Sequence, residues 1–283
     1  MPSRAFTTTA VLTFLAVLAL CHPEEAAAVS TGAPQRIVAL VPSLVEDLCA
    51  IGGSRQLIGV SSATRDIPCA RNAAIVGDFS SVDVEKIVAI HADLVVAIPA
   101  QAHLVEPLRR AGIRVELLAD DSFANIFDNI SALGHLTGRM AQAAALDKKL
   151  KGETVRLVAG RHFKRAPSVF VALGTGPIYT AGPTSYLSTL IELAGGRNAV
   201  TTLPGAYGEY SAEALLRLQP DAIVTDPAVG LDAVLVHEPW RSLRAVRSKR
   251  VFTLTDAALL ERPGPRYNEG LRWLIERLTP LSN

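Results

Sequence analysis

Residue types that often carry catalysis occur in this chain, but not at catalytic spacing. The histidines are His22, His91, His103, His135, His162 and His237. None of them belongs to an i, i+4 pair or to the acidic cluster that a metal site requires. The sequence also has no Gly-x-Ser-x-Gly elbow and no phosphate-binding Gly-x-x-x-x-Gly-Lys-Ser/Thr run. It therefore predicts no enzyme, no catalytic residue, no metal and no cofactor.

A glycine-rich segment, Gly174-Thr175-Gly176-Pro177, follows an apolar run. Tyr179 stands where a dinucleotide-binding fingerprint has its third glycine, so that fingerprint fails. The segment instead predicts a turn at which the backbone can approach a ligand.

Two glutamates, Glu85 and Glu213, occupy equivalent positions in an internal repeat that pairs 85–96 with 213–224. Asp83 and Ser211 stand two residues earlier as N-cap candidates. Each glutamate is thus expected in a first helical turn, where the helix dipole favours negative charge.

Alternating strands and helices are predicted to position these residues. From Arg36 onward, short β-branched runs alternate with helical patterns, which is typical of parallel α/β architecture. The predicted strands are 37–41, 57–60, 94–98, 115–118, 168–173, 222–225 and 251–254. Ser122 is a predicted N-cap of a helix that ends near 134–138.

The proline-free segment 139–162 predicts one long helix of ~20 residues. The predicted fold is α/β, with two Rossmann-like lobes, each a mostly parallel sheet flanked by helices, joined by this helix. The expected domains are a signal peptide at 1–28, an N-terminal lobe at 29–138, the connecting helix at 139–162 and a C-terminal lobe at 163–283.

The N-terminus predicts export. Arg4 precedes an uncharged run, 10–20, which is too short to span a bilayer but suits the core of a signal peptide. Small residues before Val29 favour cleavage after Ala28. The alternative is cleavage before Cys21, with lipidation of that cysteine, although Leu20 disfavours it.

The charge balance bears on the binding partners of the chain, and the cysteines bear on its disulfides. Lys+Arg number 28 and Asp+Glu 27, which leaves no cationic surplus to neutralise phosphates, so nucleic acid is not expected as a partner. Cys49 and Cys69 can form a disulfide in an oxidising compartment, or Cys49 can be a buried free thiol.

Several partial motifs occur in a characteristic order along the chain. They are RIVALVPS at 36–43, LIGVSS at 57–62, VEKIVAIHADLVV at 84–96, the segment 186–198 with its AGG, the segment 213–224, and RPGPR at 262–266. Together they resemble the periplasmic binding proteins for cobalamin, haem and iron-siderophores. The resemblance covers essentially the whole mature chain and is greatest to the cobalamin-binding members. It implies a monomeric periplasmic receptor that carries a metal chelate, cobalamin or another corrinoid first, to an ABC importer.

The resemblance also implies where the ligand lies, in a cleft between the lobes. The corresponding positions are Pro42, Ser43, Phe79, Ile98, Leu173, Tyr207, Leu259 and Arg262. The alternative for Phe79 and Tyr207 is ordinary packing.

Other ligands of the family remain open. Haem is less favoured, because that branch uses a tyrosinate near Phe79 and phenylalanine cannot ligate iron. Anionic siderophores would suit Arg262 or Arg65. The alternative for Arg262 and Arg266 is to brace a helix that starts near Pro265.

Glu85 and Glu213 match the pair that, in the resembling receptors, docks onto arginines of a two-fold permease. The alternative is that each only complements its own helix dipole. Two further hypotheses for the whole chain are an exported enzyme with its active site between the lobes and a sensor that binds partner proteins.

Overall fold

The computed structural model describes residues 32–161 and 164–281. The predicted signal peptide, its cleavage site after Ala28 and the alternative lipidation site Cys21 lie outside the described residues.

The N-terminal lobe is a parallel sheet flanked by helices. Its elements are β1 (Ile37–Ala39), α1 (Pro42–Ala50), β2 (Leu57–Val60), β3 (Ala74–Ile75), α2 (Val84–Ala89), β4 (Leu94–Ala97), α3 (Ala102–Arg110), β5 (Arg114–Leu117) and α4 (Phe123–Thr137). The strand order is β3-β2-β1-β4-β5, and every pairing is parallel. All residues of β1 and β4 are buried, as expected for central strands covered on both faces.

The connecting helix, α5 (Met140–Val158), has 19 residues. It packs against α4, which is capped as predicted: the Ser122 side chain accepts from the Asn125 N–H, and the helix ends at Gly138 with φ 71°. The predicted long helix is confirmed, although it begins after Arg139 and ends before the predicted limit at 162.

The C-terminal lobe has two sheets. Its elements are β6 (Ser168–Val171), β7 (Gly174–Thr175), β8 (Ile178–Ala181), α6 (Tyr186–Leu193), β9 (Arg197–Asn198), β10 (Tyr207–Glu209), α7 (Ala212–Leu218), β11 (Ala222–Thr225), α8 (Arg244–Arg247), β12 (Val251–Thr253), α9 (Ala258–Glu261) and α10 (Tyr267–Leu278). A parallel sheet has the order β12-β11-β6-β9, and an antiparallel sheet has the order β10-β8-β7.

All seven predicted strands are present, with ends that differ by up to two residues. The two repeat copies are also present, as α2–β4 and α7–β11, and their N-caps are Asp83 and Ser211 as predicted. The glycine-rich segment forms the turn of the β7–β8 hairpin. The small antiparallel sheet was not predicted, because its strands are short and interrupted by glycine and proline.

An aromatic cluster joins the lobes. The Phe123 ring of α4 lies 5.0 Å, between ring centroids, from Tyr267 of α10 and 6.3 Å from Tyr186 of α6. Thr154 of the connecting helix contacts the Tyr267 hydroxyl at 2.5 Å. The two lobes and α5 therefore share one hydrophobic core, which runs from Ile37 to Leu278.

Cys49 and Cys69 form a disulfide, with a Cα–Cα distance of 6.3 Å. It ties α1 to the loop that follows β2. Of the two alternatives for these cysteines, the structure has the disulfide and not the free thiol.

Candidate functional site

Four of the predicted ligand residues lie where parallel strands end. Pro42 and Ser43 open α1 after β1, and Ile98 follows β4. In the other lobe, Leu173 comes two residues after β6. Since α/β folds place their ligands at the carboxyl ends of parallel strands, the topology brings each of these side chains to the ligand edge of its sheet.

These two edges meet across the lobe boundary. The Tyr186 N–H donates to the Asp121 carbonyl oxygen at 2.7 Å. A Cβ added to Gly264 would lie 3.7 Å from the Ser43 carbonyl oxygen, so the backbones of the two lobes approach van der Waals contact there. We call the region bounded by the strand-end loops of both lobes the interlobe surface.

Tyr207, also predicted to contact the ligand, lies in β10 and is half-buried at the interlobe surface. Burial raises the pKa of its hydroxyl, and the negative charges of Asp120 and Asp121 raise it further. Burial likewise raises the pKa of Asp120 to about 6; Asp121 adds to the rise, and a hydrogen bond from Ser43 opposes it. Asp120 thus interacts with residues of both lobes: it accepts a hydrogen bond from Ser43, and its charge acts on Tyr207.

Asp120 was missed by the sequence analysis. Its position in the sequence could have indicated it, because Asp120 lies between β5 and the Ser122 N-cap. It thus follows the carboxyl end of a strand, as Pro42 and Ile98 do.

A second acidic group in the C-terminal lobe was also missed. Asp226 directly follows β11, is 2% exposed and accepts from the Ala228 N–H at 2.7 Å. Its side chain lies within hydrogen-bonding reach of the Glu261 carboxyl of α9. Burial raises the pKa of Glu261 to about 7; the charge of Asp226 and this hydrogen bond add to the rise, and Arg262 opposes it. A protonated Glu261 carries no charge, which allows it to lie beside the Asp226 carboxylate.

The Glu261→Gln variant should depend less on pH for its stability than the wild type. Because the Glu261 pKa is raised from 4.5 to about 7 on folding, the native chain holds this proton where the unfolded chain has released it. Wild-type stability should therefore fall as pH rises from 4.5 to about 7. Glutamine is neutral throughout and removes this contribution.

Urea unfolding midpoints at several pH values across that window would measure the effect. Glu276→Gln, which removes an exposed carboxylate of α10, is the matched control. Equal slopes of midpoint against pH for wild type and Glu261→Gln would contradict the assignment.

Arg262, predicted to contact the ligand, is placed at the interlobe surface against carboxylates of the N-terminal lobe, Glu46 and Asp66. Arg266 instead pairs with Asp256 and Glu269 inside its own lobe. The bracing alternative thus describes Arg266, which is the N-cap residue of α10.

Phe79 and Leu259 complete the predicted ligand set. Phe79 is 56% exposed, and its carbonyl oxygen accepts from the Gln101 side chain at 3.2 Å. Leu259 of α9 is partly buried against the core, and its carbonyl oxygen accepts from the Tyr186 hydroxyl at 3.5 Å. An exposed phenylalanine is free to pack on a ligand, whereas Leu259 is already a packing residue.

Glu85 and Glu213 lie in the first turns of α2 and α7, as predicted. Both are exposed, and neither has an ion-pair partner among the residues that the structure describes. The helices run toward the amino ends of β4 and β11, so both glutamates sit at the same end of their lobes as the strand-end loops.

Two surface pockets have no predicted ligand residue in their lining, although the second is lined in part by Glu46, the partner of Arg262. One, of about 390 Å³, is formed by α4 and α5 and includes Phe127 and Lys151. The other, of about 550 Å³, is formed by α1, α5 and α10 and includes Cys49 and Arg272. Strand-end topology and interlobe contacts, rather than these hollows, define the candidate site.

No helix within 32–161 or 164–281 combines the length and apolar character that crossing a membrane demands. Two parallel α/β sheets, joined by one long helix, present the carboxyl ends of their strands to the same interlobe surface, an arrangement suited to holding a solute between two lobes.

The chain belongs to the periplasmic binding protein family, which it matches over residues 37–258. This membership confirms the predicted family, the predicted fold class and the prediction of a solute-binding protein.

Three relatives illustrate the likeness. An uncharacterized ABC transporter substrate-binding lipoprotein of Bacillus subtilis is 31% identical over 259 residues, 87% of this chain and 81% of the relative. The solved periplasmic vitamin B12-binding protein of Vibrio cholerae is 26% identical, with a TM-score of 0.73, over 88% of this chain and 98% of that one. A periplasmic heme-binding protein from Pseudomonas aeruginosa is also 26% identical, with a TM-score of 0.77, over 88% and 94% of the two chains.

Proposed function

We propose that this chain captures a corrinoid, cobalamin first, between its lobes and delivers it to the permease of an ABC importer. The observation that carries the choice of ligand is the charge of the interlobe surface. Asp120 lies beside Ser43 and Tyr207 at this surface, and Asp226 and Glu261 lie together beyond the carboxyl end of β11, while Arg262 is held by Glu46 and Asp66. A neutral ligand rich in amides, such as cobalamin, fits acidic and hydroxyl groups better than a polyanion does.

The predicted contacts supply the rest of the site. Phe79 and Tyr207 offer aromatic faces from opposite lobes, and Ser43, which is 3% exposed, acts through its hydrogen bond to Asp120. Aromatic packing on a large planar ring and hydrogen bonds to its amides are the two interactions that a corrinoid can make. No covalent step is part of this function.

An anionic chelate, ferric siderophore or haem, is the second candidate. It is supported by Arg65, which is exposed in the same loop as Asp66, and by the likeness to the Pseudomonas aeruginosa heme-binding protein. Phe79 counts against haem, since phenylalanine offers no iron ligand.

The compartment and the partner are part of the proposal. Cleavage after Ala28 would release the chain as a monomer into the periplasm, and acylation at Cys21 would anchor it, as the name of the Bacillus subtilis lipoprotein suggests for that relative. The domain limits are those proposed from sequence, with lobes at 29–138 and 163–283. Glu85 and Glu213 would dock onto cations of the permease dimer, one per lobe.

The test of the ligand is retention after desalting. The mature chain is incubated separately with cyanocobalamin, dicyanocobinamide, haemin and ferrichrome, and visible spectra are recorded after gel filtration. We expect both corrinoids to be retained. Retention of haemin or ferrichrome alone would replace the proposed ligand with the second candidate.

Tyr207→Ala should weaken cyanocobalamin binding at least about tenfold, because it removes an aromatic face at the interlobe surface. Tyr207→Phe keeps the ring and should lose less affinity. Val236→Ala, at a side chain that is 69% exposed, is the matched control. Tryptophan quenching on titration measures all three, and unchanged affinity in Tyr207→Ala would remove this residue from the site.

A further inference from the structure

Arg262 connects the lobes through a compact set of charged contacts. It follows α9 of the C-terminal lobe, and its acceptors among the described residues all belong to the N-terminal lobe. Its guanidinium donates to both carboxylate oxygens of Asp66, at 2.8 and 3.1 Å, and to Glu46 Oε1 at 3.1 Å. It also donates to the Ala63 carbonyl oxygen at 3.3 Å. The fork shape of the guanidinium thus fixes direction as well as distance.

Two of the three side chains in this contact, Arg262 and Glu46, are largely shielded from water. The side chain of Arg262 is 16% exposed and that of Glu46 is 9% exposed, whereas Asp66 is 57% exposed. A charge pair that is partly desolvated contributes more than a surface pair, and separating it leaves a poorly solvated carboxylate behind. Opening the lobes at this point is therefore costly.

The disulfide braces the two acceptors. Glu46 lies three residues before Cys49 in α1, and Asp66 lies three residues before Cys69 in the following loop. The Cys49–Cys69 bond joins these two segments, so it holds the carboxylates that receive Arg262 in one arrangement. A loop without this bond could carry Asp66 and Ala63 away from α1.

Other charged residues lie close to the contact between Arg262, Glu46 and Asp66. Burial raises the pKa of Glu46, and the nearby Arg262 and Arg266 oppose that rise. The hydrogen bond from Arg262 lowers the pKa of Asp66, and the charge of Arg266 adds to that lowering. Among the described residues, Arg266 pairs with Asp256 and Glu269, so it makes the same kind of contact as Arg262 but within one lobe.

We infer that Arg262, Glu46 and Asp66 form an interlobe latch, braced by the Cys49–Cys69 disulfide, that sets the rate at which ligand leaves the cleft. Arg262 is in this account a positioning residue, which acts through the distance between the lobes and not by touching the ligand. The inference rests on the proposed function for its kinetic readout, while the latch geometry itself is independent of the ligand.

Dissociation of cyanocobalamin, followed after dilution into excess unlabelled competitor, tests the latch. Arg262→Gln should raise the dissociation rate at least about tenfold. The Cys49→Ser/Cys69→Ser variant should raise it about threefold or more, and Arg262→Lys should lie between wild type and Arg262→Gln. Arg266→Gln is the matched control and should leave the rate near wild type.

The combined variant separates a latch from two independent effects. Because the disulfide acts through Arg262, adding the Cys49→Ser/Cys69→Ser changes to Arg262→Gln should accelerate dissociation no further. Multiplying effects, or an unchanged rate in Arg262→Gln, would overturn the inference. Complete loss of cyanocobalamin binding in a folded Arg262→Gln protein would assign Arg262 to ligand contact and would overturn it too.

A ligand-free measurement keeps this test distinct from that of the proposed function. Glu106 and Arg217 are exposed sites in opposite lobes. Spin labels attached to the Glu106→Cys/Arg217→Cys variant report the interlobe distance by double electron–electron resonance. Arg262→Gln should broaden that distance distribution, and Arg266→Gln should not. If the wild type retained no corrinoid but the distribution broadened, the latch would stand and the proposed ligand would fall; an unchanged distribution would refute the latch.

Discussion

Cells whose sole copy of this protein carries both Glu85→Lys and Glu213→Lys should take up cyanocobalamin at no more than about a tenth of the wild-type rate. The purified double variant should still bind cyanocobalamin normally. Both glutamates are exposed in the first turns of short helices, one in each lobe. If they meet cations of a two-fold permease, reversing both charges turns two attractions into repulsions at once. Each single variant should lose less transport than the double variant.

The charge-matched control is the pair Glu106→Lys and Glu276→Lys, which also reverses one exposed glutamate in α3 and one in α10. Uptake by that control should stay near wild type, since only the general field changes. Normal uptake by the Glu85→Lys/Glu213→Lys cells would remove the docking role. Loss of cyanocobalamin binding from either single change would do the same, because it would place the glutamate in the ligand site.

The helices and main strands were predictable because their signals are local. Runs such as Leu94–Ala97 are apolar and β-branched, and Asp83, Ser122 and Ser211 are N-cap residues whose side chains each accept a hydrogen bond from the first helical turn. Repetition of the same signals at Glu85 and Glu213 indicated two related lobes before any contact was known. Helix caps and apolar strand patterns can be recognised without knowledge of the tertiary structure.

The antiparallel sheet shows where local signals fail. Its strands β7, β8 and β10 contain as few as two residues, and Gly174 and Gly208 disfavour extended structure by propensity. The Thr180 hydroxyl donates to the Val171 carbonyl oxygen at 2.6 Å, which fastens this sheet to β6. Tertiary pairing of this kind overrides propensity and leaves no periodic pattern to detect.

The candidate site was only partly predictable for a related reason. Strand-end positions such as Pro42, Ile98 and Leu173 follow from topology alone. The acceptors of Arg262 do not, since Asp66 and Glu46 are separated from it by 196 and 216 residues in the chain. An arginine at a ligand edge has the same sequence signal whether it meets a ligand or a carboxylate of the opposite lobe.

Tyr267→Ala should reduce the free energy of unfolding by roughly 3–5 kcal/mol, the range for an aromatic side chain removed from a core. Tyr267 is 1% exposed, and its ring packs edge-on against Phe123 and Phe127. Its hydroxyl contacts Thr154 and donates to the Leu150 carbonyl oxygen at 3.2 Å, so one side chain joins α10, α4 and the connecting helix. Tyr267→Phe keeps the ring and should cost only about 1 kcal/mol.

The same variant should also change how the lobes unfold. Because the core is continuous between the lobes, the wild type should unfold in urea in one transition, with circular dichroism and tryptophan fluorescence coinciding. Removing the Tyr267 ring opens a cavity at the junction of the lobes, and we expect the two probes to separate as one lobe unfolds first. Phe79→Ala, at a ring that is 56% exposed, is the matched control and should cost less than about 1 kcal/mol with coincident transitions. A cost in Tyr267→Ala no larger than in Phe79→Ala would show that the aromatic cluster does not hold the lobes together.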